Sequence, residues 1–509
     1  MSHLVVRTDV SSRIGFGHAV RSLALARSWR ASGGSVSWLG YSDSDSLRTM
    51  VEAHGIAFEA VPAPHPDSMD KAVTLEHLEG HPAGTWVILD GYHFDPSYQQ
   101  ALRAAGHRLL LLDDTAEWSE FHADIILNQN LNAHQLVYPS GPQTLQVLGT
   151  RFALLRPEFA PFRDLPRSVP EVARRILVTM GGADPFNASL KVLKALERIQ
   201  RFPLEIAVIV GSLNPNRLGL EQAVANSERL SARTKLVFSP SDMTDWMAWA
   251  DVAITAGGST CWELALMGVP SVVLITAENQ RRGAEGLKTV GAALTLGDIE
   301  RIDEQAIAQN ITDFCLKPEA RASVSRLGRA LVPGDGAERL VGMMRDHAGT
   351  GDLVSQLTLR EAEEEDAIAL WELANDPSVR QNAFQPEPIP LAAHLDWFYR
   401  KLSSPDCRIW LFSFHGVLAA QIRYDKCDAR TLELDYAVAP AWRGQGLGTR
   451  ILEETWRQAC IDLNAERVQG LVLPHNLASM RAFRSTGFRE TGTLERSGRL
   501  CHVFEKPLS

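Results

Sequence analysis

A chain of 509 residues exceeds the size at which one hydrophobic core keeps growing, so two or three domains are expected. A formal net charge of −10 argues against a nucleic-acid partner, and six scattered cysteines lack the paired spacing of a disulfide framework or zinc knuckle, a cytoplasmic pattern. The first apolar run is too short for a secretory signal and none is long enough to span a bilayer, so neither export nor a membrane is expected.

In chain order, Leu4-Val5-Val6 predicts a buried parallel strand, and Leu23, Leu25, Ala26 and Trp29 give a later segment the apolar face of a helix. Between them, Gly15-Phe16-Gly17-His18 sets an imidazole at a helix start, where exposed N–H groups and partial positive charge hold phosphate and favour a neutral ring. His18 is therefore a candidate base beside a nucleotide, or else a first-turn surface residue after a plain glycine turn. Asp43-Ser44-Asp45 has the form of a metal site for a nucleotide diphosphate. It precedes Leu47 to Val51 and reads as helix capping, so no metal is expected.

Strands at Val36–Leu39, Trp86–Leu89, Leu109–Leu112 and Ile125–Leu127 alternate with helical stretches, which predicts a parallel sheet covered on both faces. Ligands then belong at the C-terminal strand ends, where His18, Asp90, Tyr92, Asp113 and Asp114 fall. One of the adjacent carboxylates Asp113 and Asp114 caps the next segment, or the pair meets substrate or His18. After the proline-containing segment Arg156 to Pro170 the pattern restarts at Ile176 and runs through Ile206–Val210, Leu236–Phe238, Val252–Ile254 and Val272–Ile275, a second Rossmann-like domain. Its turn Gly181 to Asn187 reads as a phosphate loop or as an Asp-Pro turn. The turn Gly257-Gly258-Ser259-Thr260 opens a helix and lets N–H groups approach a pyrophosphate, with Glu263 one turn on, within reach of a ribose diol.

Residues 1 to about 347 resemble the UDP-2,4-diacetamido-2,4,6-trideoxy-altropyranose hydrolases of pseudaminic acid biosynthesis, relatives of the lipid II glycosyltransferase of peptidoglycan synthesis. The resemblance lies in Arg7-x-Asp9 through Gly15-x-Gly17-His18-x-x-Arg21, Leu89-Asp90-Gly91-Tyr92, Leu112-Asp113-Asp114 followed by Asn128-Gln129-Asn130, and the glycine block with Glu263. It implies an α/β, GT-B-like pair of Rossmann-like domains, 1–155 and 156–347, facing across a cleft that holds water in place of a sugar acceptor. It also implies that His18 activates that water, that UDP leaves with inversion, and that Arg13, Gly17, Asp90, Tyr92, Asp113, Asn128 and the Gly257 to Glu263 block hold the UDP-sugar.

The polar stretch from Asp346 to Asp352 predicts a linker, placed at 348–356. Beyond it, Thr431 to Val438 alternates as a half-buried strand, followed by a glycine loop and a helix with Ile451, Leu452 and Trp456 on one face. Arg443-x-x-Gly446-x-Gly448, with Asn476 and Ala482-Phe483-x-x-x-Gly487-Phe488, makes residues 357–509 resemble the GNAT acetyltransferases, α+β domains with a mixed sheet. That resemblance implies acetyl-CoA as cofactor, its pantetheine arm along Val438 and Ala439. Its pyrophosphate would lie on the N–H groups of Gly444, Gly446 and Gly448, with Arg443, Thr449 and Asn476 in the same site. Phe483 departs from the family, because many members carry there the tyrosine that protonates the departing thiolate, and a phenyl ring has no proton to give. Glu433 is the candidate for drawing a proton from the acceptor's ammonium, or else a solvent-facing strand residue.

Together these features predict a bifunctional enzyme whose tail acetylates a UDP-4-amino sugar and whose front releases the diacetamido sugar from UDP. The alternative is a GT-B glycosyltransferase using a UDP-sugar donor, with the tail a non-catalytic acetyl-CoA-binding or assembly module.

Overall fold

The computed structural model describes residues 2–508 apart from 12–13, 142, 213, 241, 348–352 and the side chain of Ser68. It divides into two units, Met1–Gly349 and Thr350–Ser509.

The first unit holds two parallel sheets. One comprises β1 (His3–Thr8), β2 (Ser35–Gly40), β3 (Ala57–Ala60), β4 (Trp86–Asp90), β5 (Arg108–Leu112), β6 (Ile125–Asn128) and β7 (Leu145–Leu148), in the order β3-β2-β1-β4-β5-β6-β7. The other comprises β8 (Arg175–Thr179), β9 (Glu205–Val210), β10 (Thr234–Phe238), β11 (Val252–Ala256), β12 (Ser271–Ile275) and β13 (Leu294–Asp298), in the order β10-β9-β8-β11-β12-β13. The interior strands form where apolar runs are continuous: Leu4 to Val6, Val87 to Leu89 and Val272 to Leu274 are wholly buried, as strands covered by helices on both faces require. Strands β3 and β7 and the bulged partner of β12, β13, escaped the sequence pattern because they are short sheet-margin segments with no continuous apolar run. In both sheets the order reverses beside the first strand, between β1 and β4 and between β8 and β11. A doubly wound sheet opens a ligand crevice at such a point.

The two lobes of this unit approach each other at those crevices. A Cβ on Gly182, after β8, would lie 3.9 Å from the Phe16 ring, after β1. The expected domain boundary needs one correction: the helix Gly336–Asp346, assigned by its place in sequence to the second domain, packs on the helix Gly17–Ala31 of the first lobe, where Trp86 Nε1 donates to the carbonyl of Met344 at 2.8 Å. Asp45 does occupy the N-cap of the helix Ser46–Glu52, but without a capping hydrogen bond from its side chain. Among the described residues, no helix is long and apolar enough to cross a membrane.

The second unit is one mixed sheet of β14 (Thr358–Glu361), β15 (Cys407–Phe414), β16 (Val417–Lys426), β17 (Thr431–Val438), β18 (Arg467–Val472), β19 (Arg489–Arg496) and β20 (Arg499–Pro507), ordered β14-β15-β16-β17-β18-β20-β19. Strands β17 and β18 run parallel and pair only from Thr431 to Leu434. Past Leu434 they part, and the helix Leu447–Asp462 starts beyond the end of β17. Of the expected linker, 348–352 lie outside the described residues, and the turn Leu353–Gln356 is tied to the second unit by Arg450 Nη1, which donates to the Val354 carbonyl at 3.0 Å.

Candidate functional site

His18 is the second residue of the helix Gly17–Ala31, which begins without a side-chain cap, and Gly15 makes the preceding turn at φ 78°. Opposite it, β4 ends in Asp90, held to β1 by the Thr8 hydroxyl, which donates to the Asp90 carbonyl at 2.6 Å. The Asp90 carboxylate accepts from His18 Nδ1 at 2.5 Å, from Arg21 Nε at 2.9 Å and Nη2 at 2.6 Å, and from the Ser22 hydroxyl at 2.8 Å. Asp90 is held ionised and can only accept, so His18 Nδ1 carries the hydrogen and Nε2 is left as the basic nitrogen, with Arg21 Nη2 also 3.1 Å from Nδ1. Burial raises the proton affinity of Asp90, but Arg21 and then His18 outweigh it and hold the carboxyl far below the usual range. The expectation that Asp90 contacts sugar is therefore corrected: 1 % exposed and fully subscribed, it orients His18.

Arg21 bridges this pair to a second carboxylate, Asp114, at 2.7 Å. Asp114 also accepts from the Tyr92 hydroxyl at 2.9 Å and from Asn130 Nδ2 at 2.8 Å, and the Tyr92 ring stands edge-on to His18 with centroids 4.8 Å apart. The choice left open between the adjacent carboxylates thus resolves. Asp113 is buried and caps its own turn, accepting from the N–H groups of Thr115 and Ala116 at 2.9 and 2.6 Å, so it is not a sugar contact. Asn128 is likewise corrected, since it is buried, donates to the Tyr138 hydroxyl and accepts from Asn130 N. Gly17 is exposed beside His18, Tyr92 is half-buried, and Arg13 lies outside the described residues. Asp114 is the member of the adjacent pair that joins the surroundings of His18, while Arg21 and Asn130 stood in the resembling motifs without a role of their own. The signal for Arg21 was present, because three residues after His18 on a helix is the same face. A second histidine–carboxylate pair, His93 Nε2 to Asp9 Oδ2 at 2.9 Å, lies at the ends of the same two strands.

In the second lobe the turn after β11 is narrower in supply than its sequence suggests. The Gly257 N–H already donates to the Leu274 carbonyl and faces Gln280 Oε1, and that of Gly258 donates to the Ala256 carbonyl. The N–H groups of Ser259 and Thr260 have no protein acceptor among the described residues, so these two remain to meet an anion. Glu263 Oε1 accepts from Arg156 Nε at 2.9 Å, which engages one of the two carboxylate oxygens. Burial still pushes the Glu263 carboxyl up, opposed by Arg156. Asp184 of the other turn caps a helix through the N–H groups of Ala188 and Ser189, the Asp-Pro reading of that segment.

In the second unit, Gly444 and Gly446 take φ of 76° and 81°, a conformation that favours glycine, and a Cβ on either would meet nothing within 4 Å. The N–H groups from Gly444 to Gly448 have no protein acceptor among the described residues, a cradle for a pyrophosphate at the start of a sixteen-residue helix. Val438, opposite Ala420 and next to the hydrogen-bonded Ala419–Ala439 pair, turns its N–H toward the gap between β17 and β18, while its carbonyl accepts from Arg443 Nε at 3.0 Å. The Ala439 N–H donates to the Ala419 carbonyl and its carbonyl accepts from Trp442 N, both at 2.9 Å, so its one donor is taken and its carbonyl keeps a single open lone pair. The Arg443 side chain braces the loop, donating to the Val438 carbonyl and the Ser378 hydroxyl. Asn476 Oδ1 accepts from Ser479 N and caps its helix, while the Thr449 hydroxyl lies 3.4 Å from that of Ser485. Glu433 is paired with Arg496. Phe483 is 1 % exposed, packed among Tyr436, Phe488 and Phe504. The open N–H groups from Gly444 to Gly448 fit a pyrophosphate such as that of acetyl-CoA.

Known proteins resemble the two units separately. Residues 175–330 match the glycosyltransferase family 28 C-terminal domain, and residues 356–489 match the acetyltransferase (GNAT) domain. The spore coat polysaccharide biosynthesis protein SpsG of Bacillus subtilis is 28% identical over 241 residues, 47% of this chain and 69% of that protein. The UDP-2,4-diacetamido-2,4,6-trideoxy-beta-L-altropyranose hydrolase of Campylobacter jejuni is 25% identical over 292 residues, 57% of this chain and 97% of that protein. Among solved structures, MurG of Acinetobacter baumannii aligns with 16% identity over 68% of this chain and 99% of its own, with a TM-score of 0.49. The chain is a GT-B-like pair of Rossmann-like domains followed by a mixed-sheet GNAT domain.

Proposed function

We propose that this chain, a GT-B-like UDP-sugar enzyme joined to a GNAT domain, is bifunctional: its front hydrolyses a UDP-2,4-diacetamido-2,4,6-trideoxy sugar, and its tail N-acetylates the UDP-4-amino sugar that precedes it. The observation that carries the first activity is the His18–Asp90 pair at the β1/β4 crevice, with Nε2 left as a base. His18 Nε2 takes a proton from water, the hydroxide oxygen bonds to the anomeric carbon, and the bond from that carbon to the diphosphate oxygen breaks with its electrons leaving on UDP. Attack opposite the leaving group inverts the anomeric centre. Asp90 stabilises the imidazolium that forms, and the N–H groups of Ser259 and Thr260 meet the growing charge on the diphosphate. Glu263 and Arg156 brace the helix behind that turn. Water needs no acceptor site, and the similarity to the Campylobacter jejuni hydrolase, which extends over nearly all of that protein, supports hydrolysis.

In the tail, acetyl-CoA supplies the activated acetyl group when bound. Gly444 to Gly448 hold its pyrophosphate, and Val438 aligns the arm beside the sheet. The match to the GNAT domain supports this cofactor and an amine acceptor.

The match to a glycosyltransferase C-terminal domain favours one rival, a transferase with a sugar acceptor in the cleft. Incubation of the full chain with the UDP-diacetamido sugar alone separates the two. Free sugar and UDP in equal amounts support the hydrolase, and intact substrate until an acceptor is added supports the transferase. Adding acetyl-CoA and the UDP-4-amino sugar tests the tail by the mass of the product.

A further inference from the structure

Strand β17 alternates its side chains across the sheet, so Glu433, Asp435 and Ala437 share the face opposite Tyr436 and Val438. Glu433 and Asp435 both line one cavity of about 1220 Å³ that also reaches Gly444, Gly446 and Phe483. The two carboxylates differ in what already holds them. Glu433 is ion-paired with Arg496, and Gln469 Nε2 approaches its other oxygen at 3.4 Å. The Asp435 side chain is 62% exposed, and Arg423 Nη1 comes only to 3.8 Å of it. Arg423 is itself engaged, donating from Nε to Asp425 at 2.7 Å and lying over the Trp397 ring at 5.1 Å.

Position separates them again. Glu433 lies within the paired part of β17 and β18, opposite Gln469, whereas Asp435 is the first residue past Leu434, where the strands part. That gap is the one toward which Val438 turns its N–H. A carboxylate spent on a guanidinium has few lone pairs left for a second cation, while an open one at the mouth of the gap can take an ammonium directly.

We propose that Asp435, and not Glu433, is the carboxylate that receives the acceptor's ammonium in this cavity. This rests on the acetyltransferase reading of the tail. The acceptor, a primary amine, arrives as a cation. One proton passes from nitrogen to Asp435, and the freed lone pair bonds to the thioester carbonyl carbon. The carbon–sulfur bond breaks with its electrons on sulfur, and nitrogen loses a second proton as sulfur gains one. Asp435 then returns its proton to solvent, so that ammonium and acetyl-CoA give amide, CoA and one proton.

The test uses the full chain saturated with CoA, titrated calorimetrically with the UDP-4-amino sugar, alongside thiol release from acetyl-CoA with that sugar and with glucosamine as an amine lacking the nucleotide. Asp435→Asn weakens amine binding by about ten- to a hundredfold with CoA affinity unchanged, the worth of a hydrogen bond to a charged group. Asp435→Glu recovers part of that loss, and Glu433→Gln stays within about threefold of wild type, as for a residue whose charge is already paired. Equal amine affinity in wild type and Asp435→Asn overturns the assignment, as does a loss that appears in Glu433→Gln instead. Acetylation of glucosamine but not of the UDP-4-amino sugar, still lost in Asp435→Asn, keeps the assignment and removes the UDP-sugar reading of the tail. A wild-type chain that neither binds nor acetylates any amine removes both.

Discussion

Nδ1 of His18 lies 2.5 Å from Oδ1 of Asp90, at the one place in the first sheet where strand order reverses. The pair makes separate demands on two substitutions. His18→Asn removes the base and should lower hydrolytic turnover by about two to four orders of magnitude, the usual worth of general-base catalysis. Asp90→Asn keeps the base but frees its tautomer and should cost about a hundredfold or more. UDP affinity, set in the other lobe, should change little in either. Steady-state UDP release with calorimetry on UDP checks both, and near-normal turnover by a folded His18→Asn protein would refute the assignment.

Acid stability should depend on Asp9. Burial raises the proton affinity of its carboxyl, but hydrogen bonds from His93 and the Arg7 ion pair outweigh it and bring it from the ordinary value to about 2. A group whose pKa is depressed by folding stabilises the fold above its unfolded pKa and loses that contribution as pH falls through the folded one, here between about pH 4 and pH 2. The shift corresponds to about 2 kcal/mol at neutral pH for this buried side chain. Urea midpoints measured against pH should therefore fall more steeply in that window for the wild type than for Asp9→Asn. Parallel curves would show that Asp9 is not the titrating group.

The strand ends that carry this chemistry were legible because the interior strands of a doubly wound sheet are continuous apolar runs, and the residue after each run faces the crevice. What such runs do not carry is the partner of each side chain. Asp113 and Asp114 are neighbours in sequence, yet one turns back to cap its own loop while the other meets Arg21, Tyr92 and Asn130 from separate segments. Glu263 was read as a ribose contact from its place one turn into a helix. Its ion pair joins it to Arg156, 107 positions earlier, and no local pattern reports a contact of that span. At Ala439 the partner is local, since the proline turn that follows β17 takes one lone pair of its carbonyl.

The glycine cradle of the tail gives a clean binding test. Gly446 has φ 81° and open space where a Cβ would stand, so Gly446→Glu adds both backbone strain and a negative charge in the path of a pyrophosphate. Calorimetry on the full chain should show acetyl-CoA binding lost in this variant, with UDP-sugar hydrolysis by the front unchanged. Undiminished acetyl-CoA affinity would mean that the cradle from Gly444 to Gly448 is not the cofactor's seat.

Phe483 raises the question of whether restoring the family's tyrosine would speed the tail, and the packing around the ring answers it. A Cβ on Gly470 would fall 2.3 Å from the Cζ of Phe483, so the ring tip lies directly over the glycine of β18. Tyrosine adds its hydroxyl at that same Cζ, with Tyr436, Phe488 and Phe504 closing the sides of the ring. The extra atom must displace the ring or the strand, and overpacking of a filled core costs about 1–3 kcal/mol. A hydroxyl forced into that core also loses its water partners, which adds to the cost. Phe483→Tyr should therefore lower the melting temperature of the tail and leave acetyl transfer no faster than wild type. A variant of unchanged stability that transfers acetyl groups faster would mean that the ring can swing out of this pocket to face the thiol.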